Sequence, residues 1–188
     1  MLEYEKKFML TENEYFAIME LMCRREPWTV QTNHYFDTDD YRMNEQKITC
    51  RIREKNGIYK TVIKNHGTKQ TDCSIEVELA QVSEFDPQIF KALGLRYQGN
   101  LVTERIVVYK DSRCKMVLDR NTYLGNTDFE LEIEYREGEE QHAQTVLKDA
   151  ALALISYGLL NKTSELAARV SDDASKSQRF FDRLKNLK

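Results

Sequence analysis

No uninterrupted apolar stretch in the 188 residues is long enough to cross a bilayer as a helix. The opening residues carry charge where a secretion signal would run from basic to apolar to small. Both absences point away from a membrane or exported protein, and a cytoplasmic location is expected. Cysteines number only four, Cys23, Cys50, Cys73 and Cys114, and none forms a C-x-x-C pair. Neither a zinc knuckle nor a small disulfide scaffold is indicated. A basic excess is missing as well: 28 Lys and Arg against 31 Asp and Glu leave a net charge of −3, which argues against nucleic acid as the main partner. No internal repeat or low-complexity linker is visible.

What is present is a globular composition, 41% apolar and 31% charged, enough for one sizeable domain or a domain with a helical appendage. "LEYEKKF" alternates like a strand. Thr11 and Glu14 then stand at capping-box spacing and predict a helix over about residues 12 to 25, which Pro27 ends. "WTVQTNHYFDT" and "KITCRIREKNGIYKTVIK" follow, separated by the polar turn "DTDDYR"; Asn56-Gly57 between two alternating runs is a strong hairpin signal. Further strands are expected at "TDCSIEVELA", "YQGNLVTERIVVYKD", "CKMVLDRNTYLG" and "TDFELEIEYRE", with a short helix at "DPQIFKALGL" and an amphipathic helix near "EEQHAQTVLKDAALALISYGLL". About eight mostly antiparallel strands predict an α+β, mainly β fold: a tunnel-like β-barrel with helices packed outside, since closure removes exposed edges.

Period-two reading gathers charge on one face of strand after strand. Glu3, Glu5 and Lys7 share a face, as do Arg51 and Arg53, Lys60 and Lys64, Glu76 and Glu78, and Glu130, Glu132 and Glu134. The opposite faces hold Tyr4 and Phe8, Cys50 and Ile52, Tyr59 and Ile63, Ile75 and Val77, and Leu131, Ile133 and Tyr135. Two architectures fit. Either the charged faces meet water around an apolar core, or they line a wet tunnel whose apolar exterior is covered. The segregation by sign, acidic on the first and last strands and basic on the hairpin between, favours the tunnel.

Such a tunnel has a definite chemistry. Clustered carboxylates repel unless a hard divalent cation lies among them, and Mg²⁺ or Mn²⁺ takes oxygen ligands of this kind. Arg and Lys facing them would hold phosphate oxygens, Arg as a two-pronged donor and Lys as a point charge. The combination suits a polyphosphate chain and in-line attack by water.

On these residues the sequence resembles the CYTH family, the triphosphate tunnel metalloenzymes that include class IV adenylyl cyclases and thiamine and inorganic triphosphatases. "EYEKKF" matches the family's E-x-E-x-K strand, and "NHYFDTDDYRM", "ITCRIREKNGIYKTVIK", "SIEVEL", "TERIVVY", "VLDRNTYLG", "DFELEIEY" and "NKTSELAAR" follow in the family's order. The resemblance implies an eight-stranded tunnel over residues 1–170, with 171–188 as a C-terminal helical tail. It implies Glu3 and Glu5, with two of Glu130, Glu132 and Glu134, as metal ligands. Lys7, Arg51, Arg53, Lys64, Arg105 and Lys162 are implied triphosphate contacts, with Lys60 added by parity with Lys64. Lys7, Glu5, Arg53 and Lys64 are the expected catalytic set. Asp119 and Glu78 match acidic tunnel positions, and Tyr35 either orients a lysine or water or packs.

The expected function is metal-dependent hydrolysis of a small-molecule triphosphate, inorganic triphosphate first. Adenylyl cyclase activity and a non-catalytic polyphosphate- or nucleotide-binding module are the alternatives. His34, His66 and His142 read as loop or surface residues. The tail "KSQRFFDRLKNLK" reads as a terminal helix packed on its own domain or on a second subunit, so a homodimer stays open, and no nucleic-acid or membrane partner is expected.

Overall fold

The computed structural model describes residues 2–22, 27–66, 73–169 and 175–187, with the backbone alone at Leu2, Glu3 and Cys73. Its strands are β1 (Leu2–Leu10), β2 (Thr29–Asp37), β3 (Ile48–Lys55), β4 (Ile58–Asn65), β5 (Cys73–Val82), β6 (Arg96–Lys110), β7 (Cys114–Tyr123) and β8 (Asn126–Tyr135). All pairings are antiparallel, and the ring order is β1-β5-β4-β3-β2-β6-β7-β8. β1 closes the ring. It pairs with β8 from Tyr4↔Tyr135 to Leu10↔Phe129, and with β5 only from Leu2↔Ile75 to Tyr4↔Cys73, so the β1–β5 seam is the thinner one.

Local chemistry fixes the turns. Asn56 (φ 54°) and Gly57 (φ 73°) both adopt the left-handed backbone that a two-residue hairpin loop demands between β3 and β4. Helix α1 (Glu12–Met22) opens on the predicted capping box: the Thr11 amide donates to Glu14 Oε2 at 2.8 Å, and the Glu14 amide donates to Thr11 Oγ1 at 3.3 Å. The predicted residues 23 to 25 of this helix lie outside the described residues.

The outward faces of the strands bury the apolar set. Phe8, Ile106, Met116, Leu118, Leu131 and Ile133 pack with Tyr15 and Ile18 of α1 and with Leu147 and Leu154 of α4 (Glu140–Ser156). Each such fully buried side chain contributes about 1.5–3 kcal/mol. On the other side, Phe36, Cys50 and Ile52 pack against Phe90 of α3 (Gln88–Ala92). The outer residues of β5 differ: Ile75 and Val77 remain about half exposed, at 51% and 48%. Among the described residues, Cys50 and Cys114 are free and buried, and no helix is long and apolar enough to cross a membrane.

Two short helices go beyond the expectation, and the expected tail helix takes a position of its own. Arg42 and Met43 open α2 (Arg42–Glu45), where Asp37 Oδ2 accepts from the Asn44 amide at 2.9 Å. α5 is Ser164–Ala167. The tail forms α6 (Lys176–Asn186), and it enters one end of the barrel instead of lying on its outside. Phe180 and Phe181 are buried against Tyr35, Leu101 and Tyr123, which carry the inward parity of β2, β6 and β7. The Phe180 and Tyr35 rings lie 4.9 Å apart, so packing accounts for Tyr35. Gly99 (φ +135°) makes room: a Cβ there would stand 2.9 Å from Phe180 Cζ.

Candidate active site

Inward parity brings the charges together. The two acidic strands are neighbours, with Glu5 opposite Glu134 and Lys7 opposite Glu132 across the β1–β8 ladder. The basic hairpin β3–β4 lies on the other side of the ring. Glu5, Lys7, Arg51, Arg53, Lys64, Arg105, Glu132 and Glu134 line one polar chamber. The tunnel architecture is therefore the one adopted, and the alternative with charges outside and an apolar centre is excluded.

Inside, each described carboxylate meets a cation. Glu5 pairs with Lys7 and, at 2.9 Å, with Lys64. Arg51 Nη2 donates to Glu76 Oε2 at 2.7 Å. Arg105 grips Asp119 with two bonds of 2.7 Å and reaches Glu132 at 3.2 Å. These pairs decide the protonation states. Burial works to raise the Glu5 pKa, but the Lys7 and Lys64 ammonium groups outweigh it and hold the carboxyl at about 2. Glu132 is likewise buried, and Lys176, Arg105 and Lys7 keep it well below the usual carboxylate range. Glu134 goes the other way: burial and then the neighbouring Glu132 charge push it up.

The CYTH domain model matches residues 1–169. The chain belongs to the CYTH family. It is 31% identical over 148 residues, 71% of this chain and 77% of the relative, to the Bacillus subtilis (strain 168) protein named "Putative triphosphatase YjbK". Among solved structures, a Bacillus halodurans protein described as "a putative adenylate cyclase" covers 95% of this chain and 97% of its own, with a TM-score of 0.66 and 24% identity. PH1012 from Pyrococcus horikoshii OT3 covers 92% of this chain and 96% of its own, with a TM-score of 0.58 and 22% identity. At those identities the two structures establish the CYTH fold and nothing finer.

Not every expected residue of this CYTH chain reaches the chamber. Lys162 is exposed just before α5, and its neighbours Thr163 and Ser164 line an outer groove with Lys6 and Phe8, so it stands outside the barrel wall. Lys60 pairs with Glu78 at 2.8 Å, both about two-fifths exposed, at the end of the barrel away from α6. Glu130 is fully buried below the chamber, held by Lys176 at 2.8 Å and Arg179 at 2.6 Å. The chamber carboxylates of β8 are thus Glu132 and Glu134. Only the backbone of Glu3 is described, and it pairs with Ser74; its side chain lies outside the described residues.

Six lining residues were not legible, among them Gln31 and Asn33 of β2. Ser175, Lys176 and Ser177 of the tail line the chamber floor, beyond the CYTH match. Lys176 Nζ, almost fully buried, contacts Asp119, Glu130 and Glu132 at 2.8–3.0 Å. His66, expected in a loop or on the surface, lines the chamber and shares a 2.9 Å hydrogen bond with Thr49 Oγ1; burial and then Lys64 push its pKa down to about 3, so the ring is neutral. His34 and His142 stay outside the chamber, His142 at 2.8 Å from Asp111. The sequence signal that existed was the Phe180-Phe181 pair, whose apolar bulk demands a buried partner.

A hard divalent cation fits this donor set. Glu5, Glu132 and Glu134 offer carboxylate oxygens to one wet space, and Glu134 is pushed up by burial first and then by the Glu132 charge, the second of which a cation would offset. Asp119, Glu130 and Glu132 also bring oxygens within 4.8 Å of one another, but there Lys176 already supplies the positive charge.

Proposed function

We propose that this CYTH protein is a divalent-metal-dependent triphosphatase that hydrolyses inorganic triphosphate first, or a nucleoside or thiamine triphosphate. The observation that carries the reading is the convergence of Lys7, Arg51, Arg53, Lys64 and Arg105 with Glu5, Glu132 and Glu134 on one chamber. The name of the Bacillus subtilis relative supports it.

The cations hold the phosphate chain. Arg51 and Arg53 present planar donor pairs to non-bridging oxygens, and Lys7 adds a point charge. Glu5, Glu132 and Glu134, with Glu3, are the residues that would hold Mg²⁺ or Mn²⁺. When bound, the ion supplies charge neutralisation at the phosphate oxygens as the P–O bond breaks. With Glu5 holding an ion, Lys7, which shares that carboxylate with Lys64, would be free to turn toward the phosphates. We assign the orientation of the attacking water to Lys64, whose Nζ lies 2.9 Å from Glu5 Oε1. Arg105, locked on Asp119, keeps a fixed positive charge beside Glu132.

Phosphate release from inorganic triphosphate, ATP and thiamine triphosphate, each with Mg²⁺, Mn²⁺ or EDTA, tests the reading. Release with metal and none with EDTA is expected. Cyclic nucleotide formation from ATP would replace it with the cyclase alternative, and saturable binding without release would replace it with the binding module.

A further inference from the structure

Outside the chamber, three side chains of mixed donor chemistry meet where the β6–β7 turn faces the start of α4. A carboxylate oxygen of Asp111, the sulfur of Cys114 and a ring nitrogen of His142 all lie within 4.8 Å of one another. Asp111 stands in the turn, Cys114 opens β7, and His142 belongs to the first turn of α4, so the group joins two elements well separated in the chain. None of the three lines the chamber.

The carboxylate is already held in a ligand's pose. Asp111 Oδ1 accepts the amides of Arg113 and Cys114, both at 2.8 Å, which leaves Oδ2 facing His142 Nε2 at 2.8 Å. The Tyr109 hydroxyl donates to the same Oδ2 at 3.0 Å, an outer partner of the kind that orients metal-binding carboxylates. In a tetrahedral zinc site, bonds of about 2.0–2.1 Å set nitrogen and oxygen about 3.3 Å apart, so Nε2 and Oδ2 need to open by only about half an ångström. Cys114 is free and 4% exposed, whereas the His142 and Asp111 side chains are 16% and 25% exposed, so an ion enters past the ring and the carboxylate and meets the sulfur last.

Charge and softness select the ion. One thiolate and one carboxylate cancel a divalent charge, so the loaded site is neutral. The competing cation is Arg113, whose Nε lies 3.7 Å from Oδ2 on a half-exposed side chain that can withdraw into solvent. Sulfur and imidazole nitrogen suit Zn²⁺, whereas the carboxylates of the chamber suit Mg²⁺ or Mn²⁺.

We propose that Asp111, Cys114 and His142 form a second metal site, a Zn²⁺ clip of sulfur, nitrogen and oxygen ligands that ties the β6–β7 turn to α4, with water in the fourth position. Cys114 binds as the thiolate, and its displaced proton passes to solvent. The clip is independent of the triphosphate reading.

Co²⁺ is the probe, because its absorption reports both sulfur ligation and tetrahedral geometry. The full chain, reduced and stripped of metal, is titrated with Co²⁺ in the presence of excess Mg²⁺, which competes at sites made of oxygen alone. A thiolate-to-cobalt charge-transfer band in the near ultraviolet, accompanied by strong visible absorption, is expected, and added Zn²⁺ should abolish both. Cys114→Ser should lose the band. His142→Gln, at a partly exposed position that leaves the melting temperature of the metal-free protein in place, should raise the cobalt dissociation constant at least about tenfold. No charge-transfer band with cobalt in large excess, a band that Cys114→Ser retains, or an unchanged dissociation constant in His142→Gln would each overturn the proposal.

Discussion

Lys176 Nζ lies 2.8 Å from Glu130 Oε1, an ion pair that fastens the last helix to the inside of the last strand. Asp119 and Glu132 complete the group at 2.9 and 3.0 Å. Burial alone would lower the Lys176 pKa, but the three carboxylates outweigh that and raise it, so the ammonium stays charged at any working pH.

Removing that charge leaves three buried carboxylates short of a cation. Lys176→Met keeps the length of the side chain, and it should cost about 3–5 kcal/mol of stability, the range found when one partner of a buried pair is lost. Urea unfolding followed by circular dichroism measures it. A loss below about 1 kcal/mol, the scale of exposed pairs, would mean that the pair is solvated and the floor open.

Glu5 links the site to acid stability. Its folded pKa, about 2, lies below the ordinary glutamate value of 4.5, so the folded state binds this proton less tightly than the unfolded chain. The stabilisation is therefore complete above about pH 4.5 and disappears as pH falls through 2. It is on the order of 3 kcal/mol. Glu5→Gln should be less stable than the parent at neutral pH, with the gap closing in acid, and it should lose metal-dependent phosphate release while keeping its circular dichroism. A gap independent of pH would show that the Lys7 and Lys64 contacts do not hold Glu5.

His66 should stay neutral where an ordinary histidine titrates. Its folded pKa of about 3 lies below the usual 6.5, so between those values the unfolded chain takes a proton that the folded one refuses. Stability should accordingly rise with pH across that window. The ring carbon and proton shifts of His66, followed by nuclear magnetic resonance from pH 8 to 5, should not move. A midpoint near 6.5 would place the ring in solvent and away from Lys64.

The strands were legible because their chemistry is local. Alternation in "ITCRIREKNGIYKTVIK" sets Arg51, Arg53 and Lys64 on one face and Cys50, Ile52 and Ile63 on the other, and Asn56-Gly57 fixes the register between them. Which glutamates of β8 share the chamber was not legible. Glu130, Glu132 and Glu134 have the same parity, and only depth separates them, set by a helix some forty residues further along. Lys176 was hidden for the same reason: in the sequence it is one charge in a polar tail, and its carboxylate partners come together only when β7 and β8 pair. His66 follows the last residue of β4, and nothing in the spacing says that Thr49 and Lys64 enclose it. Lys162 misled because a motif places a residue along the chain, whereas the barrel wall decides on which side it falls.

Ionised walls from separate strands enclose one chamber, the proposed phosphate site. Crystals grown with Mn²⁺ and inorganic triphosphate, with data collected at the manganese edge, test it directly. The predicted result is an anomalous peak bounded by Glu5, Glu132 and Glu134, with triphosphate against Arg51 and Arg53. Manganese and triphosphate bound only on the outer surface, with the chamber holding water alone, would contradict it.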